Sequence, residues 1–161
     1  EMIKIALAAK PAHICLVPEK REELTTEGGL DVLANQAAIA DACARLANAG
    51  MEVSLFIDPD MQQIKAAKSV GAPVIELHTG TYADVDVSLQ AAELTRLEEA
   101  AQYAAQLGLV ENAGHGLTLD NLSPICNLSH LNELNIGHAL IADAVFLGLE
   151  GAVKAYLLAI H

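Results

Sequence analysis

The sequence predicts an α/β fold, read as the last five βα units of a TIM (β/α)8 barrel. Three observations predict it. Short apolar runs alternate five times with longer stretches of helical periodicity, which implies parallel strands joined by right-handed crossovers. Two later strands exit through a glycine and a histidine, at Gly114-His115-Gly116 and Gly137-His138, and functional groups of parallel α/β folds gather at such exits. The last strand is followed by two helices, and a phosphate site built from the last strand exits and a short extra helix recurs in barrels. An open doubly wound sheet is the usual alternative. A whole barrel takes about 250 residues. Residues 1–161 are therefore read as the carboxyl-terminal part of a single barrel domain, its amino-terminal units absent.

The elements follow in order. The chain opens at Glu1-Met2-Ile3-Lys4 without a helix-start signal, and Met2, Ile5, Ala6 and Ala9 share one face of a first helix that Pro11 cannot continue. His13 to Val17 reads as a strand buried on both faces. A long polar loop runs from Pro18 to about Leu33, of a length that usually marks a lid or disorder. Asn35 to Ala49 is a helix with Ile39, Ala42, Cys43 and Leu46 on its apolar face and Gly50 as its stop. Glu52 to Ile57 is a strand. Asp58-Pro59 reads as a helix cap followed by proline at the first helical position, and the helix carries Met61, Ile64, Ala67 and Val70.

Val74 to His78 is the third strand, followed by a loop, Thr79 to Tyr82. Ser88 is read as the cap of a long helix through Leu94, Leu97, Ala101, Ala104 and Ala105, which ends at Leu107-Gly108. A strand over Leu109 to Ala113, a short helix around Thr118 to Ile125 and a strand over Glu133 to Ile136 come next. Helices at Leu140 to Phe146 and Gly151 to Ile160 close the chain.

Composition narrows the function. Hydrophobic residues make up 53% and aromatics 3%, a balance that suits helices packed closely on a sheet and argues against disorder. With 9 basic against 21 acidic residues the net charge is −12, so a basic nucleic-acid face is not expected. Anionic small molecules remain open, because backbone N–H groups at helix starts bind phosphate without net positive charge. No apolar run approaches the length of a membrane span, and no secretory leader is recognisable, so no membrane partner is expected. Cys15, Cys43 and Cys126 form neither a disulfide framework nor a metal pattern and are read as buried thiols in a reducing compartment. The six histidines supply no metal-ligand spacing, so no metal is expected.

Two side chains carry the chemistry. His115, between two glycines at a strand exit, is the candidate acid or base, because an imidazole offers both protonation states near neutrality. Its bland alternative is a solvated turn histidine. Glu76 lies mid-strand between Ile75 and Leu77, and a carboxylate there is costly unless paired. A structural ion pair inside the barrel is its bland reading. His78, two residues on, faces the same side as Glu76, and a hydrogen bond between them stays open. His13 begins the first strand and is read as structural or solvated, and His130 and His161 carry no motif.

Several blocks in order resemble one family, the pyridoxine 5′-phosphate synthases of the deoxyxylulose-dependent route to vitamin B6. They are Cys15-Leu16-Val17-Pro18-Glu19-Lys20, Thr25-Thr26-Glu27-Gly28-Gly29-Leu30-Asp31, Val53-Ser54-Leu55-Phe56-Ile57-Asp58, Ile75-Glu76-Leu77-His78-Thr79-Gly80, Asn112-Ala113-Gly114-His115-Gly116-Leu117 and Glu133-Leu134-Asn135-Ile136-Gly137-His138-Ala139. The resemblance covers essentially the whole chain. It implies a cytoplasmic barrel enzyme, assembled into octamers, that condenses 3-amino-2-oxopropyl phosphate with 1-deoxy-D-xylulose 5-phosphate. The products are pyridoxine 5′-phosphate, phosphate and water, and no metal or organic cofactor takes part. It further implies His115 as proton donor and Glu76 as transition-state stabiliser. Gly116, Gly137 and His138 would hold the aminoacetone phosphate, and Thr25 would contact the deoxyxylulose phosphate. The family's other functional residues, its general bases among them, are expected upstream of Glu1. Two other readings compete: another phosphosugar-acting barrel enzyme, for which no strand ends in a Schiff-base lysine, and a non-catalytic barrel fragment.

Overall fold

Five parallel strands form one sheet in the computed structural model, which describes residues 1–18 and 28–160. In chain order the elements are α1 (Met2–Ala9), β1 (His13–Leu16), α2 (Gln36–Asn48), β2 (Glu52–Ile57), α3 (Met61–Ser69) and β3 (Val74–His78). There follow α4 (Gly80–Asp84), α5 (Val87–Gln106), β4 (Val110–Gly114), α6 (Leu122–Cys126), β5 (Leu131–Asn135) and α7 (His138–Ile160). The sheet order is β1-β2-β3-β4-β5, so every strand pairs with its neighbours in sequence. Doubly wound sheets reverse their strand order at a switch point, whereas barrels wind in one direction. The absence of a reversal in this sheet marks it as a sector of a barrel.

Register divides the sheet into two chemically distinct faces. Leu55, Ile75 and Glu111 are cross-strand partners, as are Ile57, Leu77 and then Ala113 one strand further on, and all are buried against the helices. On the other face Phe56, Glu76, Asn112 and Glu133 lie side by side. Between β4 and β5 a bulge leaves Asn132 out of the pairing, and its amide donates to Asn112 Oδ1 at 3.0 Å. The helix layer supplies Ile39, Cys43 and Leu46 from α2, Ile64 and Ala67 from α3, and Leu97, Ala100, Ala101 and Ala104 from α5. Small alanines let α5 lie close to the strands, and this apolar burial is the main drive to fold.

Several local expectations change. The first strand alternates in exposure and is not buried on both faces, because only its Ile14 and Leu16 side meets the helices. In α1 the packed residues are Ile3, Ala6 and Leu7, while Met2 and Ile5 are exposed. Asp58 does not cap α3. Asp60 does, accepting from the backbone N–H of Gln62 and Gln63 at 2.9 Å, which frees the Asp58 carboxylate for another partner. Thr79 to Tyr82 is not a plain loop, since Gly80 opens the short helix α4. Asp86 rather than Ser88 precedes α5, and no side chain caps it. Of the three cysteines only Cys43 is buried; Cys15 is exposed and Cys126 intermediate. Much of the expected polar loop, from Glu19 to Glu27 with Thr25 in it, lies outside the described residues, as does His161.

The two closing helices appear as one run, α7, broken at Gly148, whose φ of 71° and ψ of 156° leave the helical region. The hydroxyl of Tyr156 donates to Asp143 Oδ2 at 2.9 Å and ties the halves together across that break. Burial and the Asp143 carboxylate push the tyrosine up to about 12. Among the described residues no helix is long and apolar enough to cross a membrane.

Candidate active site

The site is built at the carboxyl ends of β2, β3 and β4 and the start of α7. On β3, period-2 alternation sends Glu76 and His78 to the face away from the helices. Cross-strand register places Gly114 beside His78, so the β4 exit carries His115 past the same point.

Glu76 is held from both sides. Asn135 Nδ2 on β5 donates to its Oε2 at 3.0 Å, and Cys15 Sγ on β1 approaches the same oxygen at 3.8 Å. Its other oxygen lies over Gly114, where an added Cβ would meet it at 2.6 Å. Glycine is required there because the carboxylate uses the space. Burial raises the Glu76 carboxyl above its ordinary range, and the Cys15 and Asn135 bonds partly offset this. The Cys15 thiol responds in the same sense: desolvation first, and then the Glu76 charge, push it up to about 12. It faces Glu76 as a weak thiol donor.

The anticipated Glu76–His78 bond is not the one formed. His78 is 2% exposed and its Nδ1 lies 3.0 Å from Asp58 Oδ1. That bond holds the aspartate below its usual range. The backbone N–H of Gly29 donates to the same oxygen at 3.1 Å. The rings of His78 and His115 are 5.0 Å apart at 52°, and Phe56 lies 5.0 Å from His78 and 6.3 Å from His115. Gly80 makes this meeting feasible: a Cβ on it would sit 2.5 Å from His78 Nε2 and 2.9 Å from His115 Cδ2.

His115 itself has φ of 86°, a left-handed conformation uncommon for a residue with a Cβ. Thr79 holds that turn. Its backbone N–H donates to the Gly114 carbonyl at 2.9 Å, and its hydroxyl lies 2.7 Å from the Gly114 carbonyl and 2.6 Å from that of His115. One hydroxyl proton serves two acceptors in turn. Beyond the turn, Asn121 Nδ2 donates to the Gly116 carbonyl at 3.1 Å, and Tyr82 donates to the Asn121 carbonyl at 2.9 Å.

Gly137 and His138 stand at the start of α7, whose first turn is closed by Ile141 N–H on the Gly137 carbonyl. Both are exposed, and nothing lies within 4 Å of a Cβ position at Gly137. Unsatisfied N–H groups and the helix dipole make such a start suitable for an anion. The structure therefore gathers His115, Gly116, Glu76 and His78 around the β3 and β4 exits, with Gly137 and His138 at the next exit. Thr25 lies outside the described residues. His13 is exposed and bonded to Glu52 at 3.0 Å, away from this group. Asp58, Thr79, Asn135 and Phe56 are the site neighbours that the sequence reading did not single out. Among the described residues no group of three His, Cys, Asp or Glu side chains is arranged to hold a metal ion.

A singly wound parallel sheet with imidazoles, a held carboxylate and a helix start at its strand exits defines the class, a barrel-type α/β protein with a polar site. Residues 1–161 match the family described as Pyridoxal phosphate biosynthesis protein PdxJ, and the chain belongs to that family. It is 59% identical over 154 residues to the pyridoxine 5′-phosphate synthases of Legionella pneumophila strains Corby and Philadelphia 1. Those matches cover 95% of this chain and 62% of each relative, so the chain spans somewhat less than two thirds of their length. Among solved structures, the crystal structure of the Amycolatopsis orientalis BexX/CysO complex is similar with a TM-score of 0.59. That likeness covers 98% of this chain and 59% of the other at 17% identity, and it shows the fold alone.

Proposed function

We propose that the protein carrying this chain is a pyridoxine 5′-phosphate synthase. It condenses 3-amino-2-oxopropyl phosphate with 1-deoxy-D-xylulose 5-phosphate, releases phosphate and water, and works in the cytoplasm as a homo-oligomer, an octamer by family resemblance. The observation that carries the reading is the convergence of His115 with the Asn135-bound Glu76 around Gly114, one strand from the open helix start at Gly137.

Ring closure with loss of phosphate and water needs protons delivered to departing oxygens. His115 is placed on an exposed turn where a substrate oxygen can reach it, and it acts as the proton donor. Glu76 faces the same space with its carboxylate fixed by Asn135, and it stabilises positive charge that develops on an imine-like intermediate. A fixed carboxylate needs no reorganisation at the moment of reaction, which is the source of its effect. Gly116, Gly137 and His138 hold the phosphate of the amino ketone through backbone N–H groups. Thr25 contacts the deoxyxylulose phosphate.

The test is steady-state kinetics on the whole protein with both substrates, following pyridoxine 5′-phosphate. His115→Asn is expected to lower kcat about 10²–10⁴-fold with little change in KM. Unchanged turnover across pH 6 to 9 would make His115 a binding or structural residue.

A further inference from the structure

The hydrogen bond between Tyr156 and Asp143 has no part in the chemistry assigned above, yet it links the two pieces of backbone offered to the substrate phosphate. We propose that Tyr156 and Asp143 form a positioning pair that sets the start of α7 against the Gly116 turn, and so governs binding of the phosphorylated amino ketone. The inference rests on the functional reading just given.

Gly137 and His138 lead only into the first segment of α7, since Gly148 at φ 71° and ψ 156° stops the helical turn. A backbone in that conformation does not pass the direction of the second segment on to the first. The two segments are also seated differently. The second sinks Ala152 and Tyr156 into the core, at 0% and 3% exposure. The first turns Ala139, Leu140, Asp143 and Ala144 inward, and all four are only half-buried. Asp143 stands in the second turn after His138 and accepts from the Tyr156 hydroxyl at 2.9 Å. Tyr156 thus reaches from the buried segment, across the break, to the segment that carries the helix start.

The same tyrosine meets the other half of the cradle. It belongs to one buried cluster with Leu117 and Leu122, which flank the turn after Gly116. Within that turn Asn121 Oδ1 accepts from the Thr118 N–H at 2.8 Å, and Asn121 Nδ2 donates to the Gly116 carbonyl at 3.1 Å. Tyr156 is therefore a common reference for Gly116 on one side and for Gly137 and His138 on the other. Backbone N–H groups bind a phosphate well only when they converge on one point, and a rigid ring with a single polar tip is suited to fix that convergence. Burial first, and then the Asp143 carboxylate, push the tyrosine up to about 12, and the Leu119 backbone partly offsets this. The hydroxyl accordingly remains a donor over the whole working range.

Tyr156→Phe, Asp143→Ala and the double variant in the whole protein provide the test, with Asp143→Asn as the conservative control that keeps an acceptor oxygen. Each of the first two is expected to raise KM for 3-amino-2-oxopropyl phosphate about tenfold, the scale of one hydrogen bond to a charged group. Both kcat and KM for 1-deoxy-D-xylulose 5-phosphate should stay within about twofold. The double variant should be no worse than the worse single, because the two residues act as one unit, and Asp143→Asn should recover most of the loss. The second readout, hydrogen exchange followed by mass spectrometry, does not depend on activity. Residues 137–147 should exchange about tenfold faster in the two single variants, and residues 149–160 at the wild-type rate. Unchanged exchange over 137–147 overturns the proposal, as does a fall in kcat with both KM values unchanged. Faster exchange in both segments, or an equal rise in both KM values, overturns it too, since either marks a general loss of structure. If wild-type protein forms no pyridoxine 5′-phosphate, the functional reading fails, while the exchange rates still decide whether the pair positions the helix start. Should Tyr156→Phe not fold, Asp143→Ala carries both readouts, because it trims a half-buried side chain and leaves a good helix former in its place.

Discussion

Glu76 and Glu111 lie on adjacent strands, both in apolar surroundings, and the protein treats them in opposite ways. Glu76 faces the site, with Asn135 and Cys15 on its carboxylate. Glu111 is 1% exposed on the helix-facing side, beside Ile75, and among the described residues neither of its oxygens has a hydrogen-bond partner. Burial first, and then the charge of Glu98 on α5, push Glu111 up to about 8. Glu98 is itself held in its charged form by the Ser129 hydroxyl and backbone N–H. The outward Val110 beside it is 43% exposed, so the expected order of an apolar and a charged residue is inverted at this point of β4. A buried carboxylate with partners is a functional device, and one without partners is a cost in stability.

That contrast makes separable predictions, beginning with the largest. Glu76→Gln in the whole protein is expected to lower kcat about 10²–10³-fold, the usual loss when a fixed electrostatic group is removed. The thermal midpoint should not fall, because a partly buried charge is removed with it. Loss of folding instead of turnover would show Glu76 to be a structural group.

Glu111→Leu should do the reverse: stabilise the fold by several kcal/mol at pH 8 while leaving kcat alone. The sign follows from linkage. An acid whose folded value lies above its unfolded value binds more protons when folded. Its contribution is intact below about 4.5 and is lost as pH rises to about 8. Each unit of displacement is worth about 1.4 kcal/mol. Thermal denaturation of wild type and Glu111→Leu from pH 4.5 to 9 checks it: the two curves should diverge as pH rises. Parallel curves would mean that Glu111 gains a partner in the folded protein.

Two smaller effects refine the Glu76 side. Asn135→Ala should lower kcat roughly tenfold, about 1.4 kcal/mol, the scale of one hydrogen bond to a charged group. Cys15→Ala should change kcat less than about threefold, since a thiol at 3.8 Å is a weak donor. An equal or larger effect at Cys15 would reverse the ranking of the two partners.

Much of this architecture was legible in the sequence. Five strands, their order and their parallel sense follow from apolar runs separated by helical periodicity, because neighbouring βα units pack in chain order. The faces of α2 and α3 were equally plain: Ile39, Cys43, Leu46, Ile64 and Ala67 recur at helical spacing and are buried. The strand exits that bring His115 and Gly137 forward carry their own turn chemistry, visible as Gly-His pairs.

Tertiary structure alone decided which polar group meets which. Asp58 and Asp60 are two residues apart and equally fit to cap a helix, and only the packed fold gives the cap to Asp60 and sends Asp58 to His78. Glu76 finds Asn135, 59 residues away, and not its strand neighbour His78, because Gly114 on the intervening strand β4 has no side chain to fill the space between them. The approach of Cys15 on β1 to Glu76 on β3 is likewise invisible in the four letters of that strand. Local periodicity is encoded by neighbours in sequence and can be read there. Hydrogen-bond partners are chosen across strands by register, twist and the space left by glycines such as Gly80 and Gly114, and those are properties of the assembled sheet.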